Sequence, residues 1–488
     1  MSDAFHAPAF MLAAAATVSA TAFTGLAVRL ASRWGCLDRP DGGRKDHQEA
    51  VPVLGGVAIF VALLVATAFA AGVPAISELF RGTRLLTATT LIVSAGGFCL
   101  LGFLDDVRPL SPTRKLVGQV VAALPFALWG QPVETVAFLG WDVFLGAGGI
   151  VFTVVWLVAT ANVFNLIDGL DGLAGTVGLI ACAAIGVVAE SRGFPDVACV
   201  ALALGGGLLG FLSHNLPPAR IFLGDSGSML VGFLIGALSI LSSLKTATGF
   251  AMAVPLILIS LPAFDTLMAI VRRRLSGVGI GTGDRLHIHH RLRERGLTPG
   301  QTLAAIALLS LTMAVLCVVA AVYHNDRLGV LLCGGLLASL VVGRIFGHHE
   351  AMLTFRKLKT LATVIGETAG LGRRTSGPPR VKSWDEASAM LEQLGVVSAR
   401  VVIDGKSVRL IGGESGGEKS VTVSVGRRTQ KSAIELVCVG HAGLAGPKAA
   451  AAFAAVAASA LRELDAEELF EGDNAVTLAF PPLERDAA

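Results

Sequence analysis

Asp105 and Asp106 stand side by side at the C-terminal end of an otherwise apolar run, Leu91–Leu104. That run is most of a membrane-crossing helix. An acidic residue at a bilayer centre costs about 2.5–3.5 kcal/mol on insertion scales, so carboxylates beside a membrane are placed there for a reason. Two neighbouring carboxylates also repel unless a cation or a shared proton lies between them. The pair points to a metal- or proton-handling site facing water; a polar helix end that only marks the interface is the competing reading.

Four more polar segments could join such a site. Arg44–Gly56 sets Lys45 and His47 before the second apolar span, where they can bind phosphate, and ends in Gly55-Gly56, which lets another backbone approach. An ordinary basic interfacial loop would look similar. Arg114 and Lys115 follow the Asp pair; carboxylates for a divalent ion and a lysine for a phosphate oxygen are what phosphoryl chemistry requires.

Asn162, Asn165, Asp168 and Asp171 recur every three residues and would share one face of a helix, a costly stripe in a membrane unless it faces a cavity or a partner. Gly169 and Gly172 should loosen the helix there. In His214–Ser228, Asp225 lies at the start of a span, where a helix N-terminus favours negative charge, and it could equally be a plain cap. Phe222 could stack on a base or anchor the interface, and Asn215 lies in the same segment. Finally, His287, His289 and His290 with Arg291 could bind zinc or an anion. Their spacing does not establish a closed zinc geometry, and a His/Arg cluster facing a diphosphate is as sound physically.

These residues need a scaffold. The chain has 488 residues, 53% hydrophobic and 15% charged, which describes a polytopic membrane protein and not a large soluble core. A net charge of +3 gives no argument for nucleic acid. The seven cysteines show no CxxC or CxxH spacing and read as small hydrophobes. The first apolar stretch lacks a basic leader and continues to about Leu30, long enough to span, so no cleavable signal peptide is expected.

Apolar windows predict an all-α bundle of about eleven transmembrane helices, near 8–31, 52–73, 85–104, 116–131, 145–161, 172–189, 196–213, 227–243, 248–271, 302–322 and 327–346. Lys and Arg concentrate in 32–51, 105–115, 214–226 and 272–301, whereas the alternate loops hold only Arg81, Arg84, Arg192, Lys245 and Arg327. Positive-inside logic then puts the N-terminus outside, the C-terminus inside and every motif on the cytoplasmic side. Convergence on one face implies one shared site. Residues 347–382 read as a basic linker. Residues 383–488 read as a small α+β soluble domain, with a capped helix to Gly395, strands at Ala399–Ile403, Ser407–Ile411, Ser420–Val425 and Ala433–Val439, and a helix near 447–465.

Taken in order, KDHxxxVPxxGG, DD, NxxNxxDGxDGLA, NxPPAxxFLGDSGS and HIHHRL strongly resemble the polyprenyl-phosphate N-acetylhexosamine-1-phosphate transferases over about residues 1–346. HIHHRL looks like the branch that uses UDP-N-acetylglucosamine; the muramoyl-pentapeptide branch usually carries three consecutive histidines, and Ile288 breaks that run. Leu54 stands where many members have another residue before the glycine pair.

The resemblance implies transfer of a sugar 1-phosphate from a UDP-N-acetylhexosamine to undecaprenyl phosphate in the bacterial inner membrane, with Mg2+ or Mn2+ and release of UMP, starting cell-envelope polysaccharide synthesis. One pyrophosphate bond replaces another, so no ATP is needed, and no Walker-type sequence is present. By the same resemblance Asp225 and Asn165 bind metal. Asp105 either deprotonates or orients the lipid phosphate, and Asp106 helps hold metal or phosphate. His289 and His290 belong with this catalytic group, and with Lys45, Lys115 and Arg291 they look like phosphate contacts. Asp168, Asp171, Asn215 and Phe222 lie near the nucleoside, and His47, Asn162 and His287 complete the expected substrate contacts. A second copy of the chain, and a polysaccharide-assembly protein bound through the C-terminal domain, are the other expected partners. The rival reading is a transporter or lipid flippase, which would put the carboxylates midway through broken helices with an inverted repeat. Here they gather at helix ends, and no such repeat is evident.

Overall fold

The computed structural model describes residues 2–34, 36–38, 50–243, 249–275, 287–323 and 325–343, together with strands at 396–403, 406–411, 420–426, 433–440 and 477–479. Lys45, His47, the linker 347–382 and the two helices expected in the tail lie outside the described residues.

The chain divides into two compact units, the first built from residues 1–272 and 280–353. Its helices are α1 (Ser2–Trp34), α2 (Gly55–Gly72), α3 (Pro74–Ser77), α4 (Thr83–Val107), α5 (Pro112–Pro125), α6 (Gly148–Ile167), α7 (Leu173–Ser191), α8 (Pro195–Asn215), α9 (Gly224–Ser242), α10 (Ala253–Leu258), α11 (Ser260–Leu275), α12 (Ile288–Glu294), α13 (Pro299–Val322) and α14 (Asp326–Val342). Two short strands, β1 (Leu37–Asp38) and β2 (Val51–Pro52), pair antiparallel. A hairpin of β3 (Thr135–Phe138) and β4 (Trp141–Phe144) follows α5, and β5 (Gly249–Ala251) adds to it parallel to β3.

Eight helices among the described residues are long and apolar enough to cross a membrane: α1, α2, α4, α6, α7, α8, α9 and α13. Rows of exposed apolar side chains, among them Val93, Leu100, Val151, Val155, Leu308 and Leu311, have no place in water and mark lipid-facing sides. The protein is a mostly helical, multi-pass membrane protein.

Three of the eleven expected spans differ. The stretch at 116–131 is α5 followed by a wider π-type turn at Phe126–Gly130, and it carries Arg114, Lys115 and Gln119 in its helical part. The stretch at 248–271 is broken into β5, α10 and α11, with Pro255 and Pro262 inside its helical pieces and Asp265 beyond them. The last, α14, is a shorter apolar helix. Proline and buried polar side chains interrupt what a hydropathy window averages over.

The bundle is organised around α9, which packs on α2, α4, α6 and α7. Every residue from Ser226 to Ser242 is buried. A helix apolar all round belongs in the centre of a bundle, and its small residues permit close neighbours. At Gly56, a Cβ would lie 2.1 Å from the backbone nitrogen of Gly227. That is the close backbone approach expected of the glycine pair.

In the second unit, β6 (Val396–Ile403), β7 (Lys406–Ile411), β8 (Ser420–Gly426), β9 (Ala433–Gly440) and β10 (Thr477–Ala479) form an antiparallel sheet in the order β10-β8-β9-β6-β7. Four of these strands fall at the ranges expected from the sequence, to within a few residues.

Candidate active site

Short turns decide which residues meet. α4 ends at Val107, and Ser111 caps α5 by accepting from the Arg114 backbone (3.4 Å), with Pro112 at the first helical position. The Asp105 carboxylate accepts from the Leu110 backbone (2.6 Å) and closes this turn. Lys115 is thereby carried on the first turn of α5, beside the end of α4.

Lys115 is the hub. Its Nζ lies 2.9 Å from Asp105 Oδ2, contacts Asp225 Oδ2 and donates to Asn165 Oδ1 at 3.3 Å. Asn165 Nδ2 in turn donates to Asp225 Oδ1 (2.6 Å) and to Ser228 Oγ (2.9 Å). The ends of α4 and α6 and the starts of α5 and α9 thus meet in one cluster.

Asp106 has a different task from its neighbour. Its two oxygens accept the first free N–H groups of α9, from Asp225 (2.8 Å) and Ser226 (3.0 Å). A carboxylate here satisfies donors that a helix start leaves unpaired and complements its dipole. Gly224 makes the approach feasible: its φ is +72°, and a Cβ would lie 2.8 Å from Asp106 Oδ2.

The remaining segments join around this cluster. The Gly55 and Gly56 N–H groups donate to the carbonyls of Phe222 (3.1 Å) and Leu223 (3.0 Å), and Phe222 N–H donates to Pro52 (2.7 Å). These bonds pin β2, at the foot of the segment holding Lys45 and His47, beside half-buried Phe222. Asp171 accepts from the Ala219 backbone (3.0 Å). His289 packs against Gly169, where a Cβ would come within 2.9 Å of its ring.

Asp168 follows the last residue of α6. Burial, reinforced by the charges of Asp225, Asp106 and Asp171, pushes its carboxyl up to about 8. His289 is driven the other way, down to about 3, by burial and by His290, His287 and Arg293.

Some expected ligands are otherwise engaged. Asn162 pairs with Gln119 of α5 (2.7 Å) and donates to the Val158 carbonyl (2.8 Å). Asn215 is buried, with Oδ1 on Gly172 N–H (3.0 Å) and Nδ2 on the Ile221 carbonyl (2.7 Å). Asn162 thus ties α6 to α5, and Asn215 ties the Gly172 turn to the segment before α9. His287 is buried against Asp265. Arg291 sits at the surface, 3.6 Å from Glu294. Sequence reasoning passed over Gln119, Ser228 and Asp265. Asp265 carried a usable signal, an acid inside an apolar stretch, the same signal that singles out Asp105.

The donor set suits a hard divalent cation: carboxylate oxygens of Asp105 and Asp225 and the amide oxygen of Asn165. No three His, Cys, Asp or Glu side chains converge as ready ligands among the described residues. A Mg2+ site needs only one or two carboxylates when substrate phosphates and waters complete it. The carboxylate and amide oxygens gathered at Lys115 therefore fit such an ion.

Residues 88–243 match the family described as glycosyl transferase family 4. The probable undecaprenyl-phosphate N-acetylglucosaminyl 1-phosphate transferase of Bacillus subtilis (strain 168) is 36% identical over 298 residues, covering 61% of this chain and 80% of that protein. The decaprenyl-phosphate N-acetylglucosaminephosphotransferase of Mycolicibacterium smegmatis is 33% identical over 297 residues, 56% of this chain and 72% of that protein. A phospho-N-acetylmuramoyl-pentapeptide-transferase of Geobacillus kaustophilus is 36% identical over 218 residues, 42% of this chain and 65% of that protein.

Proposed function

The chain belongs to glycosyl transferase family 4, and from that membership and the cluster around Lys115 we propose that it transfers N-acetylglucosamine 1-phosphate from UDP-N-acetylglucosamine to undecaprenyl phosphate. An oxygen of the lipid phosphate attacks the phosphorus that bears the sugar. A new P–O bond forms, the P–O–P bond to the nucleotide breaks, and UMP leaves with the electron pair. The product opens synthesis of a cell-envelope polysaccharide.

The observation that carries this reading is the Lys115 hub, where one cation joins carboxylates and an amide from three separate polar segments. Both substrates are anions, so their approach needs positive charge fixed in advance. Lys115 supplies one such charge. Asp225 and Asn165 would hold Mg2+ or Mn2+, which screens the phosphates. Asp105, held by Leu110 N–H and Lys115, orients the lipid phosphate, and Asp106 fixes the start of α9, which carries Asp225. Asp168, Asp171 and Phe222 lie at the nucleoside. His289 and His290 contact phosphate, as do Lys45, His47 and Arg291.

The finer architecture belongs to the same proposal: α5, α10–α11 and α14 complete eleven crossings, with the N-terminus outside and the site and C-terminus in the cytoplasm. Residues 1–346 form the transferase domain, 347–382 a linker and 383–488 an α+β domain that docks a polysaccharide-assembly partner. The chain works as a homodimer.

Membranes containing the protein, given a panel of UDP-sugars with and without undecaprenyl phosphate, test the activity through UMP release and the mass of the lipid product. UDP-N-acetylglucosamine should give both, only with the lipid and a divalent ion. Lipid movement without UMP would favour a flippase instead.

A further inference from the structure

We propose that Asp265 on α11 is the positioning residue for the histidine segment of this site, an inference that rests on the transferase reading for its kinetic consequences but not for its geometry. Asp265 is 1% exposed. One oxygen accepts the Ile288 backbone N–H at 3.0 Å, and the other faces His287 Nδ1 at 3.1 Å. A single carboxylate therefore fixes both the backbone that starts α12 and the ring of the residue before it. A buried carboxylate among apolar neighbours is costly unless its oxygens are satisfied, and here both are used on this segment.

The consequence passes along the rings. His287 is itself buried, and its ring serves as a wall against His289. The His287 ring lies parallel to that of His289, with centroids 5.9 Å apart and planes within 4°. The His289 ring lies 4.2 Å from that of His290. His289 is 2% exposed, neither ring nitrogen has a partner, and the ring rests on Gly169 in the turn between Asp168 and Asp171. Nothing hydrogen-bonded holds His289, so its neighbours must. Asp265 anchors that row at its far end. Accepting from Nδ1–H also selects the His287 tautomer, the use to which carboxylates beside histidine are often put.

A plain helix cap would use only the bond to Ile288 N–H, and two variants separate these roles. Asp265→Asn keeps an acceptor for Ile288 but turns an NH2 toward His287 Nδ1. His287→Asn keeps a donor for Asp265 but removes the ring that walls His289. UMP release and melting temperature are measured for both, with carbethoxylation of His289 followed by peptide mass.

Each variant should remain folded at the assay temperature, keep its KM for the UDP-sugar within about 2-fold and lose at least about 10-fold in kcat. The double variant should be no worse than His287→Asn alone. His289, protected in the wild type, should be carbethoxylated faster in both. Wild-type kcat and unchanged His289 labelling in either variant would overturn the proposal. If Asp265→Asn does not fold, His287→Asn decides alone. If the wild type releases no UMP, the transferase reading fails, and the labelling rates still decide whether Asp265 positions the histidines.

Discussion

Asp106 holds Asp225 by its backbone, not by its side chain: the carboxylate accepts Asp225 N–H at 2.8 Å and the next N–H, that of Ser226, at 3.0 Å. Two adjacent acids of one helix therefore do different things. Asp105 faces the lysine hub, and Asp106 fixes the start of the helix on which Asp225 is carried.

Replacing Asp106 should consequently act on position and stability together. Hydrogen bonds to a charged group are worth about 1.5–3 kcal/mol each, so Asp106→Ala should lower the melting temperature and abolish UMP release. Asp106→Asn retains one acceptor and should fall between. Asp105→Asn should lose turnover with a smaller change in melting. Equal melting of Asp106→Ala and wild type in detergent would contradict the assignment.

Lys115→Ala removes the cation between Asp105 and Asp225. Breaking a buried pair costs about 3–5 kcal/mol, and less here because Lys115 and Asp225 are partly exposed. Melting should drop and recover in part with added Mg2+, which can fill the same role. Turnover should fall at least about 100-fold and not recover, because a positive charge aimed at the phosphates is gone. Restoration of turnover by Mg2+ alone would show that Lys115 serves only the fold.

The Asp168 carboxyl, raised to about 8 from 3.8, would make binding of a divalent cation beside Asp225 proton-linked. In the folded protein the group stays protonated up to about pH 8, whereas the unfolded chain ionises it above about pH 4. Its contribution to stability is full below the unfolded value and is lost as pH rises through 8. A divalent ion favours the carboxylate, so binding should release a proton between those limits and tighten as pH rises. Calorimetry of Mg2+ binding in two buffers of different ionisation enthalpy at pH 7 would read that proton, and Asp168→Asn should remove it.

Gly56→Ala should destabilise the bundle although it adds only a methyl group. The new Cβ would lie 2.1 Å from a backbone atom of Gly227, which cannot turn aside. Overpacking of this kind costs about 1–3 kcal/mol or more, and the displaced residue adjoins the Asp225 turn. Gly72→Ala, which opens on free space at the other end of α2, is the control and should melt like the wild type. Parity of the two variants would mean that α2 can slide on α9.

What the sequence disclosed depended on contrast. Asp105, Asn165 and Asp225 stood out because acids and amides are costly in apolar runs, and these meet at Lys115. Gln119 did not stand out, since one neutral amide in a helix carries no charge to explain, yet it takes up the side chain of Asn162. Asp265 was hidden by averaging, because a window over 248–271 dilutes one acid and ignores the breaks that prolines introduce. The β3–β4 hairpin was missed for a related reason: four-residue strands between apolar helices leave too short a period to detect. Strands in the tail were legible as short runs rich in β-prone residues.

α9 has no lipid-facing side. The bilayer therefore acts on the buried run of α9, Ser226–Ser242, only through other helices. A thinner or thicker membrane strains the outer ring, α1 and α13 among it, before any of that strain arrives at the centre. Turnover should vary little across acyl-chain lengths that visibly shift the melting of the whole protein, as if the reaction were carried out on a post driven through the middle of a floating raft.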